Sequence, residues 1–201
     1  MTKIIIIALL SIFLQCSSQK NQNMIPKADS KFERFDIAKF KKNEVRGYFK
    51  YKEDANIYIQ DTQSPGYRET LFIQNSFFKY NKFFSDNGNI EKKGILFING
   101  SSIGIWYFFD ETGKLIKEEN TDEDYHFSPE DVVEYCEKHK IKLPIGYQDS
   151  GFQTIVDKRE ENGKKVWMIS HQISADEIEK LILDGKTGKE LSKKIVPFIN
   201  N

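Results

Sequence analysis

Few side chains in this sequence are suited to bond-making chemistry, and the spacing of each restricts what it can do. Gly100, Ser101, Ser102, Ile103 and Gly104 spell the G-x-S-x-G pattern of a serine nucleophile elbow. An elbow joins a strand to a helix, whereas Ile105 to Phe109 reads as a further strand, so a hairpin turn is expected here. Cys136 and His139 stand three apart and could share a helix face as a thiolate and base. Cys136 lies well inside that helix, away from the N-terminal partial charge that acidifies thiols, which predicts core packing for it and a solvated C-terminal place for His139. His126 and His171 fall on separate elements, and no spacing fits a zinc site. The acidic run Glu118, Glu119, Asp122, Glu123, Asp124 has Phe127 and Val133 where a calcium loop starting at Asp122 needs glycine and glutamate. Gly185, Lys186 and Thr187 imitate the end of a phosphate-binding loop, but Lys180 occupies the place of its first glycine. No catalytic residue, metal or cofactor is therefore expected, with a hydrolase using Ser102 or Cys136 as the competing reading.

The elements that would carry these residues follow from hydrophobic period and turn chemistry. Ser17 to Ser30 is polar, contains Pro26, and reads as a tether. Phe32, Phe35 and Phe40 recur near helical spacing, predicting one short helix over Lys31 to Lys41. From Val45 onward, aromatic and β-branched runs alternate with turn signals, giving strands at Val45–Tyr51, Ile57–Gln60, Tyr67–Gln74 and Phe77–Phe84. Phe84, Asp86, Gly88, Ile90 and Lys92 recur as Phe109, Glu111, Gly113, Leu115 and Lys117, a repeat of strand, glycine turn and returning strand. Ser128, Pro129 and Asp131 mark a helix start, and Val132, Val133, Tyr135 and Cys136 its apolar stripe. Phe152–Val156, Val166–Ser170 and Leu181–Asp184 read as further strands, the last entering a hairpin at Asp184 to Gly188. Trp106 and Trp167 are expected in the core of strands. The fold class is α+β, mainly antiparallel: a β-hairpin repeat section, then a helix and a small C-terminal antiparallel sheet.

Composition narrows the function classes. Thirty basic and thirty acidic residues cancel over 201 residues, so there is no electrostatic footprint for nucleic acid. Sixteen Phe and nine Tyr supply apolar mass suited to strands. Met1 to Lys3, followed by an apolar run from Ile4 to Leu14, has the layout of a secretory signal. Eleven helical residues reach only about 16 Å, against roughly 30 Å of bilayer core, so a spanning helix is the weaker reading.

Three resemblances attach to these residues. The cysteine that ends the apolar run resembles the lipobox of bacterial lipoproteins, with Phe13 and Gln15 where that family prefers Leu and a small residue. The resemblance implies acylation of Cys16, attachment to the membrane through lipid and, with Ser17 following, delivery to the outer membrane. The repeated Phe, acid, Gly, apolar pattern, with Gly104 and Trp106 between the copies, resembles MORN-like repeats, including a family named for toxin neutralisation. The helix and strands ending in Asp184, Gly185, Lys186, Thr187, Gly188 look like the PepSY family, small extracytoplasmic modules associated with peptide binding and peptidase regulation. The implied organisation is a signal over 1–16, a tether with a short helix over 17–43, MORN-like hairpins over 44–124 and a PepSY-like region over 125–201. The function expected is capture of an envelope or secreted protein without catalysis, with Tyr80, Phe83 and Tyr107 as aromatic anchors and peptidase regulation as the alternative.

Overall fold

Hairpins dominate because most turns carry a residue that tolerates positive φ between two apolar runs. The structure, a computed structural model, describes residues 25–198; the expected signal segment and Cys16 lie outside the described residues. Seven strands follow one another as an antiparallel meander: β1 (Tyr48–Glu53), β2 (Asn56–Thr62), β3 (Tyr67–Phe72), β4 (Phe78–Phe84), β5 (Ile90–Phe97), β6 (Ser102–Phe109) and β7 (Leu115–Asn120). A second antiparallel sheet has the order β11-β10-β9-β8, built from β8 (Ile155–Glu161), β9 (Lys164–Gln172), β10 (Glu177–Asp184) and β11 (Glu190–Pro197). Two helices complete the fold, α1 (Ile37–Asn43) and α2 (Pro129–Lys138). This is the mainly antiparallel α+β architecture expected from the sequence.

The repeat of 25 residues is a repeat of geometry. Gly88 and Gly113 both have φ 85°, and their N–H groups donate to Ser85 and Asp110 oxygens at 2.9 Å. The strand register shifts just before Phe84 in one copy and just before Phe109 in the other, so each aromatic residue ends its strand at the same kind of bulge.

α1 begins later than expected. The backbone of Glu33 and Phe35 is already committed to the β4–β5 turn: Phe35 N–H donates to Gly88 O at 2.8 Å and Ile90 N–H to Glu33 O at 3.1 Å. Helix can start only after Asp36, whose side chain caps the N–H of Lys39 at 2.9 Å. Phe35 and Phe40 then join Phe84, Ile90 and Phe109 in a satellite core. Strand β8 also starts later than the sequence suggested, because Thr154 is held instead by its hydroxyl to Lys142 O at 2.7 Å.

α2 has the predicted capping box, Asp131 N–H to Ser128 Oγ at 3.1 Å and Ser128 N–H to Asp131 Oδ2 at 2.7 Å. Its buried Val132, Val133 and Cys136 occupy a core that draws Phe78, Ile95 and Phe97 from the first sheet and Trp167, Ile169 and Leu183 from the second. Trp167 is wholly buried and Trp106 is 7% exposed, as expected of strand-core residues.

The two sheets meet where the elbow-like letters fall. Gly100 pairs in parallel with Val156, Ser101 N–H donates to Val156 O at 3.0 Å, and a side chain at Gly100 would lie 2.0 Å from that oxygen. The Lys158 ammonium reaches across this seam to Ser102 O at 2.9 Å and Thr121 O at 2.8 Å, and it pairs with Asp122. The turn itself is at Ile98 and Asn99, Gly100 and Ser101 form the docking strip between sheets, and Ser102 to Gly104 already belong to β6, so a strand and no helix follows.

Candidate interaction site

The nucleophile candidates are taken up by structure. Ser102 opens β6 and offers its carbonyl to Lys158. Cys136 is fully buried, and burial pushes its thiol up to about 12, a protonated and unreactive state at neutral pH. His139 caps α2 at the surface, stacked on Tyr135 with centroids 4.1 Å apart. His126 is exposed, and His171 lies 3.2 Å from Glu179 on the neighbouring strand. Among the described residues, no group of three or more His, Cys, Asp or Glu could hold a metal ion.

The three proposed aromatic anchors fall on opposite faces of the first sheet, since side chains alternate along a strand. Phe83 points to one face. Tyr80, three residues away on β4, points to the other, where its hydroxyl donates to Lys27 O and burial pushes it up to about 12. Tyr107 also lies on that second face, packed against the satellite core. The odd spacing of Tyr80 from Phe83, and the place of Tyr107 next to the oppositely directed Trp106, carry this information in the sequence.

The second face is covered. Both helices and the second sheet pack there, and residues 25–36 run across it as a strap. The strap is fastened by Lys93, whose side chain is only 2% exposed. Its ammonium donates to Asp29 Oδ1 at 2.8 Å, Lys31 O at 2.8 Å and Glu33 Oε1 at 2.6 Å, using all three of its protons. Lys82 adds an ion pair to Glu33. The Lys93 hydrogen bond, with the Lys31 N–H, holds the Asp29 carboxyl below its ordinary range. Burial alone would raise Glu33, but hydrogen bonds from Lys82 and Lys93 outweigh it and lower its pKa.

Neither helix nor the strap crosses the first face; the loop carrying Tyr147 and Asp149 touches it at the corner of Phe72 and Lys50. Register pairing sets Arg68, Phe83, Lys92, Phe108 and Lys117 side by side on β3, β4, β5, β6 and β7, one transverse row of alternating cations and rings. Lys92 Nζ lies 4.7 Å from the Phe83 centroid and Lys117 Nζ 5.2 Å from that of Phe108. Nearby, Lys79 lies 5.5 Å over Phe72, and Lys50 lies 3.9 Å over Tyr147. Trp106 lies flat over Gly94, where any side chain would come within 2.3 Å of its ring, and donates to Ile95 O at 3.2 Å. Between β2 and β4 the face holds an open depression of about 390 Å³, bordered by Ile59, Arg68, Phe72 and Lys79.

Although the chain as a whole is neutral, this face is cationic. Strand alternation places Lys50, Lys52, Arg68, Lys79, Lys92 and Lys117 on it, against Asp61 and Glu119 of the strands and Asp149 of the loop after α2, which pairs with Lys50 at 3.0 Å. Asp61 pairs with Arg68 at 2.9 Å and Glu119 with Lys117. Lys79 and Lys92 form no salt bridge among the described residues. Burial, with Arg68 beside it, pushes the Lys79 ammonium down. No family model, no curated protein and no solved structure matches the chain.

Proposed function

We propose that this chain is an exported protein, attached through lipid on Cys16 to the cell envelope at the outer membrane, that captures another protein without catalysis. The uncovered face of the seven-stranded sheet is its capture surface. One observation carries this reading: Phe83 and Phe108 stay partly exposed within a row of cations on a face with neither helix nor strap over it. Half-exposed aromatic side chains ringed by cations are the usual anchors of protein interfaces. Neutralisation of a toxin is the specific form suggested by the MORN-like repeats.

The test places a photocrosslinking residue at Phe83 and, separately, at Tyr80 in intact cells. Capture of another protein from position 83 and not from position 80 is expected. Phe108→Ala should weaken that capture about thirtyfold, the effect of losing a central aromatic anchor worth roughly 2 kcal/mol. No adduct from position 83, with the protein folded and at its normal level, refutes the assignment of this face.

A further inference from the structure

We propose that the cation–aromatic row binds an acidic amphipathic helix of the partner protein, laid across the strands. This rests on the reading of the open face as a protein-capture surface and specifies what it captures.

Spacing and charge define the occupant. Neighbouring strands are about 4.8 Å apart, so Arg68, Lys92 and Lys117, on alternate strands, repeat at about 9.6 Å, with Phe83 and Phe108 midway. An α-helix rises about 5.4 Å per turn. Successive turns of a helix lying along the row therefore meet cation, ring, cation, ring, cation. A helix carrying a carboxylate on every second turn and an aliphatic side chain on each turn between satisfies both kinds of position. The mismatch of roughly 0.6 Å per step grows to only about 2.4 Å over four steps, within the reach of flexible lysine stems. An extended chain fits worse, because its side chains on one face repeat at about 6.7 Å and fall out of step with the rings.

The charges of the face call for an acidic occupant. Lys92, at the centre of the row, and Lys79, beside it and partly buried, have no carboxylate partner among the described residues, whereas the Lys93 and Lys82 ammonium groups on the opposite face are both paired. Asp61 and Glu119 engage the two ends of the row and leave its centre positive. A membrane surface suits the face less well. Trp106 is only 7% exposed and the Phe83 and Phe108 rings lie beneath lysine chains, so no aromatic side chain of the row projects to enter a bilayer, and the exposed Tyr48 stands away from it at the β1 edge.

The test uses the purified full-length protein and a stapled helical peptide with glutamate at every seventh position and leucine one turn after each. Binding is read by fluorescence anisotropy, beside a peptide with glutamine for glutamate and vesicles of anionic phospholipid. The expected result is binding that weakens at least tenfold with the glutamine peptide, at least tenfold with Lys92→Glu, and progressively with salt, while Lys92→Arg retains it. Melting curves establish that the variants are folded. Equal affinity for both peptides, indifference to Lys92→Glu, no binding at millimolar peptide, or Lys92-dependent binding of vesicles alone would each overturn the proposal. Crosslinking from position 83 separates the two levels: if it persists undiminished in Lys92→Glu, the capture surface stands and the acidic helix falls, whereas no adduct in the otherwise unaltered protein removes the capture surface itself.

Discussion

Replacing Lys93 by methionine isolates the fastening of the strap. Methionine keeps most of the apolar stem and removes only the ammonium, so Asp29 Oδ1, Lys31 O and Glu33 Oε1 lose a donor held at 2.6 to 2.8 Å. Each hydrogen bond to a charged group is worth about 1.5–3 kcal/mol when sheltered. Two of the three must be discounted: the Asp29 side chain is 57% exposed, and Glu33 is 32% exposed and keeps Lys82. The net cost of Lys93→Met should be about 2–3 kcal/mol, read as a lowered urea midpoint at unchanged slope. Hydrogen exchange at Phe35 N–H and Ile90 N–H, which bridge strap and sheet, should speed up in parallel. Acid should act in the same direction. Asp29 and Glu33 are both depressed in the folded state, so their contribution is complete above about pH 4.3 and is lost as pH falls through their lower folded values. A midpoint within about 0.5 kcal/mol of the parent, with strap amides exchanging as before, would refute the ionic fastening.

Gly94→Ala should cost about 1–3 kcal/mol, because the new carbon falls 2.3 Å from the Trp106 ring; an unchanged melting temperature would show that the indole is free to move. Cys136 should resist a thiol reagent in the native protein and react at the rate of unfolding, since it is buried and protonated; prompt labelling would contradict that placement. Ser102→Ala, Cys136→Ala and His139→Ala should each leave partner capture intact in folded protein; loss of a biological activity in one of them while capture persists would revive an enzymatic reading. Cys16→Ser should release the protein from membranes; retention after carbonate washing would mean another anchor.

Local signals carried well through the sequence. The capping box at Ser128, the paired turns at Gly88 and Gly113 and the hairpin at Asp184 to Gly188 each depend on residues within a few positions of one another. What failed to show was set by distant partners. Segment 25–30 reads as tether because Asp29 and its neighbours are polar, yet Asp29 finds a buried lysine 64 residues ahead. Likewise, alternation separates Phe83 from Tyr80 and Tyr107, but which face stays open depends on where the strap, the helices and the second sheet settle. The cationic row exists only in register, assembled from five strands whose individual charges look ordinary in a neutral chain.

The meander also orders events in time. Every strand of the first sheet pairs with its neighbour in sequence, so each hairpin closes a short loop and the sheet can grow one strand at a time at modest entropic cost. The strap is the exception. A chain delivered N-terminus first presents 25–36 long before Lys82 and Lys93 exist to receive it, and the segment must wait until β4 and β5 have paired. Strap closure should therefore be a late step of maturation, and until then the two lysines stand open on a face that later turns inward.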